Sequence, residues 1–211
     1  GGKLVVSTQI DPEDLLDTIR AQRCTTFFGV PTTFYLLTNL KNVKLDGLDS
    51  LRLICYSGAP MAPRTIQRLR ELFPKVELHN FFGLTETTSV STVLPDAQAI
   101  PRAESVGLPP PGLELRIVDE QDRPLPTGQV GELVIRGPSV LKGYYKRAEA
   151  TAEALRGGWF HTGDTAYLDA EGYLYLRGRK KEMVIVAGEN VYPIEVENVL
   201  LAHAAVVCAQ R

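Results

Sequence analysis

Nine consecutive residues, Asn80-Phe81-Phe82-Gly83-Leu84-Thr85-Glu86-Thr87-Thr88, bring together an amide, two aromatics, a glycine, three hydroxyls and a carboxylate. A hydroxyl followed directly by a carboxylate is one way to hold a phosphate oxygen beside a magnesium ion. Gly83 permits a sharp turn or a close approach to a ligand, and the aromatic before it offers a flat apolar face. Read alone, the stretch fits a strand entering a Thr-rich turn, with Glu86 in water, equally well.

Other stretches carry weaker signals of the same kind. Trp159-Phe160-His161-Thr162-Gly163-Asp164 sets the only tryptophan beside a Thr-Gly-Asp loop. An aspartate held by such a turn can accept from both hydroxyls of a ribose, because a carboxylate takes two hydrogen bonds side by side. The alternative is an aspartate that caps a turn. Arg177-Gly178-Arg179-Lys180-Lys181 puts four cations in five residues, which fits either a solvated face or a hinge between elements. Gly188-Glu189-Asn190 is a tight turn before a helix opened by Pro193. Gly131-Glu132-Leu133-Val134-Ile135-Arg136-Gly137, followed by Gly143-Tyr144-Tyr145, reads as architecture.

The elements that must position these residues change character along the chain. Strand-like runs at Lys3–Ser7, Thr25–Val30, Leu51–Tyr56 and Val76–Phe81 alternate with helices. The helices open at Asp11-Pro12-Glu13-Asp14, with an N-cap and a first-turn proline, and at Pro31 and Pro63. That alternation predicts a mainly parallel sheet covered by helices, with ligands beyond the carboxyl ends of its strands. Two loops leave strands there, Ser57-Gly58-Ala59-Pro60 and the Asn80–Thr88 stretch. From Pro95 onward prolines and glycines separate short β-rich runs at Leu113–Val118, Val130–Arg136, Ala166–Leu168 and Tyr173–Arg177, joined by Asp-led turns and one helix near Arg147–Leu155. A third character starts at Lys180, with a strand over Met183–Val186 and a helix from Pro193. The fold class is therefore α/β (α+β overall). A sheet subdomain over 1–94 is followed by a small antiparallel β subdomain over 95–179 and by the start of a small α+β domain over 180–211.

Composition excludes several classes. A net charge of −2 over 211 residues gives no sign of nucleic acid or of an anionic membrane surface, and no apolar run approaches the roughly 20 residues of a membrane span. Cys24, Cys55 and Cys208 lie in apolar runs without metal-ligand spacing and read as reduced core residues of a cytoplasmic protein. His79, His161 and His203 are far apart in sequence and read as structural or incidental.

Order and spacing make the weak signals specific. Asn-x-[aromatic]-Gly-x-Thr-Glu, then Gly-Glu-Leu-x-Ile-x-Gly, then Trp-x-x-Thr-Gly-Asp, then Gly-Arg-Lys-Lys-Glu with Gly-Glu-Asn-Val-Tyr-Pro-x-Glu-Val-Glu, resembles the adenylate-forming superfamily over essentially the whole chain. The likeness is greatest to fatty- or aryl-acyl-CoA ligases, through Val184–Pro193.

The resemblance implies an enzyme that joins a carboxylic acid to ATP, releases pyrophosphate, and passes the acyl group from acyl-AMP to coenzyme A, as in fatty acid metabolism. It implies ATP, Mg2+ and coenzyme A as cofactors or co-substrates. By similarity, Thr85 binds a phosphate oxygen, Glu86 ligates the magnesium, and Asn80, Phe82 and Gly83 line the nucleotide site. Phe82 lies against the adenine where the family usually has tyrosine. Gly58, Ala59 and Pro60 flank the adenine, Asp164 binds both ribose hydroxyls, and Arg179 stands beside it. Lys181 is the hinge of a rotating small domain, and Gly188 lines the approach of the thiol.

Two family elements, a Ser/Thr/Gly-rich phosphate loop and a C-terminal lysine, have no match in these residues. The expectation is a piece of a longer ligase that has little activity by itself. Pyrophosphate release with ATP, magnesium and a panel of carboxylic acids checks this, and robust turnover by the 211 residues alone overturns it. Two rival readings stay open: an adenylation domain that loads a carrier protein, and a nucleotide-binding relative without catalysis. The acid and the oligomeric state are not legible.

Overall fold

The computed structural model describes every residue except 1, 9, 187, 188, 202–205 and 207–211. His203, Cys208 and Gly188 of the expectations above lie outside the described residues. The fold class is as expected, a mixed α/β chain with a mainly parallel sheet, a four-stranded antiparallel sheet and a two-stranded antiparallel pair. The chain divides into two compact units, Gly1–Phe81 with Leu94–Glu104, and Phe82–Val93 with Ser105–Arg211.

The first unit is built from βαβ repeats. Helix α1 (Pro12–Gln22) starts where the Asp11 carboxylate accepts from the amides of Glu13 and Asp14, and it buries Leu16 and Ile19, three positions apart on one face. Strands β1 (Thr26–Gly29), β2 (Leu53–Ser57) and β3 (Glu77–Phe82) run parallel, linked by α2 (Pro31–Thr38) and α3 (Pro63–Leu72). Both linking helices begin at a proline, whose missing N–H costs nothing in a first turn. Ile54, Cys55 and Tyr56 are buried in succession, as a strand covered on both faces requires. The core gathers Phe34, Leu37, Ile54, Tyr56, Ile66, Leu69 and Leu78. Burial pushes the Cys55 thiol up to about 11, so it is a protonated, unreactive core group. The register pairs Gly29 with Tyr56 and Ser57 with Phe81, so Val30, the Gly58 loop and the end of β3 share one edge, the carboxyl edge of this sheet.

Strand β4 (Thr92–Leu94) precedes the part of the second unit that is an antiparallel sheet of order β5-β6-β7-β8. Its strands are Glu114–Val118, Gly131–Arg136, Phe160–Leu168 and Leu174–Arg179. Two aspartate-led turns appear as expected. Asp119 accepts at 2.9 Å from the amides of Gln121 and Arg123, and Asp169 accepts at 2.9 Å from those of Glu171 and Tyr173. A short carboxylate side chain closes each turn on its own backbone. Ile117, Leu133, Ile135, Ala166 and Leu174 form the core of the unit. Helix α4 (Ala148–Ala154), an antiparallel pair β9 (Val184–Val186) and β10 (Glu189–Val191), and α5 (Pro193–Leu201) complete it.

Three local expectations fail for physical reasons. Lys3–Ser7 forms no strand, and Leu4 and Val6 are exposed; a strand-like run without a partner edge does not make a strand. Thr162-Gly163-Asp164 is not a loop but the middle of β7, a nine-residue strand. Glu189 and Asn190 belong to β10 rather than to a turn. No helix of the described residues is long and apolar enough to cross a membrane.

The Tyr56 hydroxyl is buried without a hydrogen-bond partner among the described residues, and burial, reinforced by the charge of Asp96, raises its pKa. Removing an unmet buried hydroxyl relieves a desolvation cost. Tyr56→Phe is therefore expected to raise stability by about 1 kcal/mol in thermal unfolding; a loss of stability overturns this account of the core.

Candidate functional site

The Asn80–Thr88 stretch is a strand end followed by a very tight turn. Within the second unit, Thr85–Thr87 forms a single 3-10 turn, and Thr88 and Ser89 then take left-handed backbone angles, φ 55° and 81°. The Thr87 hydroxyl locks the turn: it accepts from the Leu84 amide at 3.1 Å and lies 2.7 Å from the Ser91 hydroxyl. Of the two uses the sequence offered for Gly83, the sharp turn is the one the backbone shows. A Cβ there would stand 1.4 Å from the Ser89 carbonyl oxygen, so the close approach is that of the chain to itself. Phe82 and Leu84 pack against the second unit's core.

That turn leaves Glu86 half-buried and engaged from a distant segment. The Tyr144 hydroxyl donates to Glu86 Oε1 at 3.1 Å, and the Leu141 amide donates to the Glu86 carbonyl at 2.7 Å. The Thr88 hydroxyl donates to the Ser139 carbonyl at 2.8 Å. Burial and the bond to Glu86 both raise the Tyr144 pKa, so the phenol stays a donor. The Thr85 residue itself is exposed.

Asp164 lies on β7 opposite Arg179 of β8. Gly163 and Gly178, at φ 71° and 128°, flank this pair, where the register slips between Thr165 and Ala166. Such a bulge re-aims a side chain. The Asp164 amide donates to the Thr162 hydroxyl at 3.0 Å, and Arg179 donates to the Thr162 carbonyl at 3.1 Å. Arg179 Nε reaches Asp164 Oδ1 at 3.1 Å, while Oδ2 is buried with no hydrogen-bond partner among the described residues. Burial pushes the Asp164 carboxyl up to about 6; Arg179 opposes the shift, and the charges of Glu132, Glu182 and Glu86 add to it. The influence of Glu86 places the two carboxylates in one electrostatic neighbourhood.

Glu132, which the sequence assigned to architecture, is buried and ringed by basic groups. Lys180 Nζ lies at 3.3 Å, His161 Nδ1 at 3.5 Å and Arg156 at 3.6 Å. A buried carboxylate needs such company. The basic run therefore splits by role. Arg179 pairs with Asp164, Lys180 with Glu132, and Arg177 lies over the Tyr167 ring at 5.0 Å. Trp159 is held between Arg116 and Arg136, at 4.3 Å and 4.5 Å from its ring centre.

A turn that carries a hydroxyl–carboxylate pair and a strand carboxylate with one unmet oxygen both stand in the second unit. The family description "AMP-binding enzyme" matches residues 1–145. The chain belongs to the AMP-binding enzyme family. It is 37% identical over 98% of its length to a feruloyl-CoA synthase from an Amycolatopsis species, covering 42% of that protein. It is also 37% identical over 98% of its length to a long-chain-fatty-acid–CoA ligase of Escherichia coli O6:H1, covering 36% of it. The structure of O-succinylbenzoate coenzyme A synthetase from Bacillus subtilis, in complex with ATP and magnesium ion, superposes with a TM-score of 0.82 at 32% identity, over 92% of this chain and 40% of that one. The chain thus spans about two-fifths of the length of such relatives.

In this AMP-binding enzyme the expected residues fall into separate groups. Gly58, Ala59 and Pro60 follow β2 in the first unit, with Gly58 exposed at φ 90°, and Asn80 is buried on β3. Thr85, Glu86, Asp164 and Arg179 belong to the second unit. Lys181 is exposed on a single 3-10 turn, Lys180–Glu182, between β8 and β9. Two engaged residues, Tyr144 and Glu132, were missed. Tyr144 stood beside Tyr145 in a Gly-Tyr-Tyr run, and nothing in the sequence separates the half-buried ring from its exposed neighbour.

Two outcomes test this geometry. Gly83→Ala is expected to destabilise the chain by about 3 kcal/mol or more, since a backbone carbonyl must move; unfolding at an unchanged denaturant midpoint overturns it. Asp164 takes its proton at about pH 6 folded against 3.8 for an ordinary carboxyl. The folded state therefore binds the extra proton between those values, and stability falls as pH rises through them. Above about pH 6 the ionised, buried group costs roughly 3 kcal/mol net of the help from Arg179. Asp164→Asn removes that cost, so its advantage in thermal midpoint over the parent is expected to open between about pH 4 and 6 and then level off. A constant difference across that range overturns the assignment.

Proposed function

We propose that the chain carries the ATP-handling part of an acyl- or aryl-CoA ligase. The observation that carries this reading is Asp164, a buried carboxylate with one oxygen fixed by Arg179 and the other unmet. Two vicinal ribose hydroxyls would satisfy it. The names of the relatives, a feruloyl-CoA synthase and a fatty-acid–CoA ligase, support a carboxylic acid and a thiol as the other substrates.

The residues suit a hard cation. Thr85 and Glu86 offer oxygen donors only, and Tyr144 occupies one acceptor position of the Glu86 carboxylate. Among the described residues no group of three or more His, Cys, Asp or Glu could hold a metal alone. Magnesium is usually held in this way, by one or two carboxylates together with substrate phosphates. When bound, the ion neutralises phosphate charge as pyrophosphate departs.

The chain's own groups do the rest. The Asp164 carboxylate accepts from the ribose and fixes the nucleoside, with Arg179 holding its other oxygen. The Thr85 hydroxyl donates to a phosphate oxygen, and Glu86 keeps the cation at the triphosphate. With ATP so held, the acid's carboxylate oxygen attacks the α-phosphorus, giving acyl-AMP and pyrophosphate. In the second step the thiol sulfur attacks the acyl carbon and AMP leaves. Such chemistry needs alignment and charge compensation more than an acid or base. Residues 1–94 and 95–179 are read as two parts of the large domain, and 180–211 as the beginning of a small domain that turns about Lys181.

In the full-length protein, pyrophosphate release with ATP, magnesium and aromatic and fatty acids, followed by AMP release on adding coenzyme A, tests the reading. Glu86→Gln is expected to lower turnover about 100-fold. Asp164→Ala is expected to raise the ATP concentration needed about tenfold or more. Full activity in both variants overturns the site. Acyl transfer to a phosphopantetheine carrier protein but not to coenzyme A overturns the choice of acceptor.

A further inference from the structure

The segment from Ser139 to Tyr144 grips the Thr85–Glu86 turn at three points more than fifty residues away in sequence. The Leu141 amide holds the Glu86 carbonyl at 2.7 Å, and the Ser139 carbonyl receives the Thr88 hydroxyl at 2.8 Å. The third contact differs in kind, because it reaches the functional group: Tyr144 donates its hydroxyl to Glu86 Oε1 at 3.1 Å. Of the other two, one holds the backbone of Glu86 and the other the side chain of Thr88, and neither touches the Glu86 carboxylate. A glutamate on a fixed backbone still has three side-chain torsions to settle, and a donor on one carboxylate oxygen settles the last of them.

Tyr144 is itself held. Its amide donates to the Thr151 hydroxyl at 2.9 Å, and that hydroxyl donates to the Arg147 carbonyl at 2.7 Å at the start of α4. Gly143 makes this docking possible: its φ is 150°, and a Cβ there would stand 2.8 Å from Thr151 Cγ2. The phenol is therefore presented from an anchored segment. The adjacent Tyr145 is 85% exposed and lies under the Lys146 ammonium at 5.2 Å.

We propose that Tyr144 is a positioning residue that sets the orientation of the Glu86 carboxylate for a divalent cation bound together with ATP. The proposal rests on the role given to Glu86 above. One oxygen is committed to the phenol, and the second is left turned to the cation, so the carboxylate meets the metal without an ordering cost at the moment of binding. The phenol does not touch the cation or the substrate.

The test uses the full-length protein loaded with ATP, and Mn2+ in place of magnesium, with free Mn2+ followed by electron paramagnetic resonance. Tyr144→Phe keeps the ring and removes only the donor. It is expected to weaken Mn2+ binding about fivefold, as the loss of one ordinary hydrogen bond implies, with the affinity for metal-free ATP unchanged. Tyr145→Phe is expected to change neither. In a Glu86→Gln background, the Tyr144→Phe change is expected to cost nothing further, because the carboxylate it orients is gone. Unchanged Mn2+ affinity in Tyr144→Phe, with Glu86→Gln strongly impaired, overturns the positioning role and leaves the metal assignment standing. The same fivefold loss in both backgrounds also overturns it, since the effect then does not pass through Glu86. Glu86→Gln that binds Mn2+ as the parent does overturns the assignment of Glu86, and this proposal with it.

Discussion

A carboxylate buried with one oxygen unmet is the constraint on which the second unit turns. Asp164 is held on a strand, inside a sheet, at a point where the ladder slips and glycines stand on both sides. Burial penalises its charge, and three neighbouring glutamates add to the penalty, so that Arg179 is the main compensation. A protein does not keep such a group for stability. Under the proposed function the cost is one of preorganisation, since the unmet oxygen of Asp164 would be placed and desolvated before a ribose arrives.

The turn at Glu86 is built by a different economy. Its shape comes from backbone contacts: a glycine against a carbonyl, a threonine hydroxyl locking the first residues, and two successive left-handed residues. Nothing in it is an independent helix or strand. It is steadied by the Ser139–Tyr144 segment, and the sheet beneath provides the core on which Phe82 and Leu84 sit. The basic run at the end of β8 connects the two buried carboxylates of the sheet, Asp164 and Glu132. Arg179 serves Asp164, and its neighbour Lys180 serves the buried Glu132, so the segment that leads to Lys181 leaves the sheet already tethered by two ion pairs.

Much of this was legible in the residue order. The helix starts at Asp11-Pro12, Pro31 and Pro63 are local events, decided by caps and by a missing N–H, and they fall where the sequence put them. The aspartate-led turns at Asp119 and Asp169 are local for the same reason. Failures came where a partner decides. Lys3–Ser7 has the apolar, β-branched composition of a strand without an edge to pair with, whereas Thr162–Asp164 has the composition of a loop but is carried into a strand by neighbours on both sides. Glu132 looked like one letter in a strand motif, because the groups that give it a role, Lys180, Arg156 and His161, are 48, 24 and 29 positions away.

The sequence by itself determined the family, through motifs whose order survives without coordinates, and it determined the alternation that makes one half α/β and the other antiparallel. It also named Glu86 and Asp164 as the residues worth watching, since a carboxylate after a hydroxyl and a carboxylate after a glycine are chemical statements that one strand of text can carry. Tertiary structure alone decided what those carboxylates experience. Tyr144 meets Glu86 across 58 positions, and Asp164 owes its raised pKa to burial and to the charges of Glu132, Glu182 and Glu86, gathered from three other segments. Burial, orientation and field are sums over neighbours in space, and the chain order does not list those neighbours.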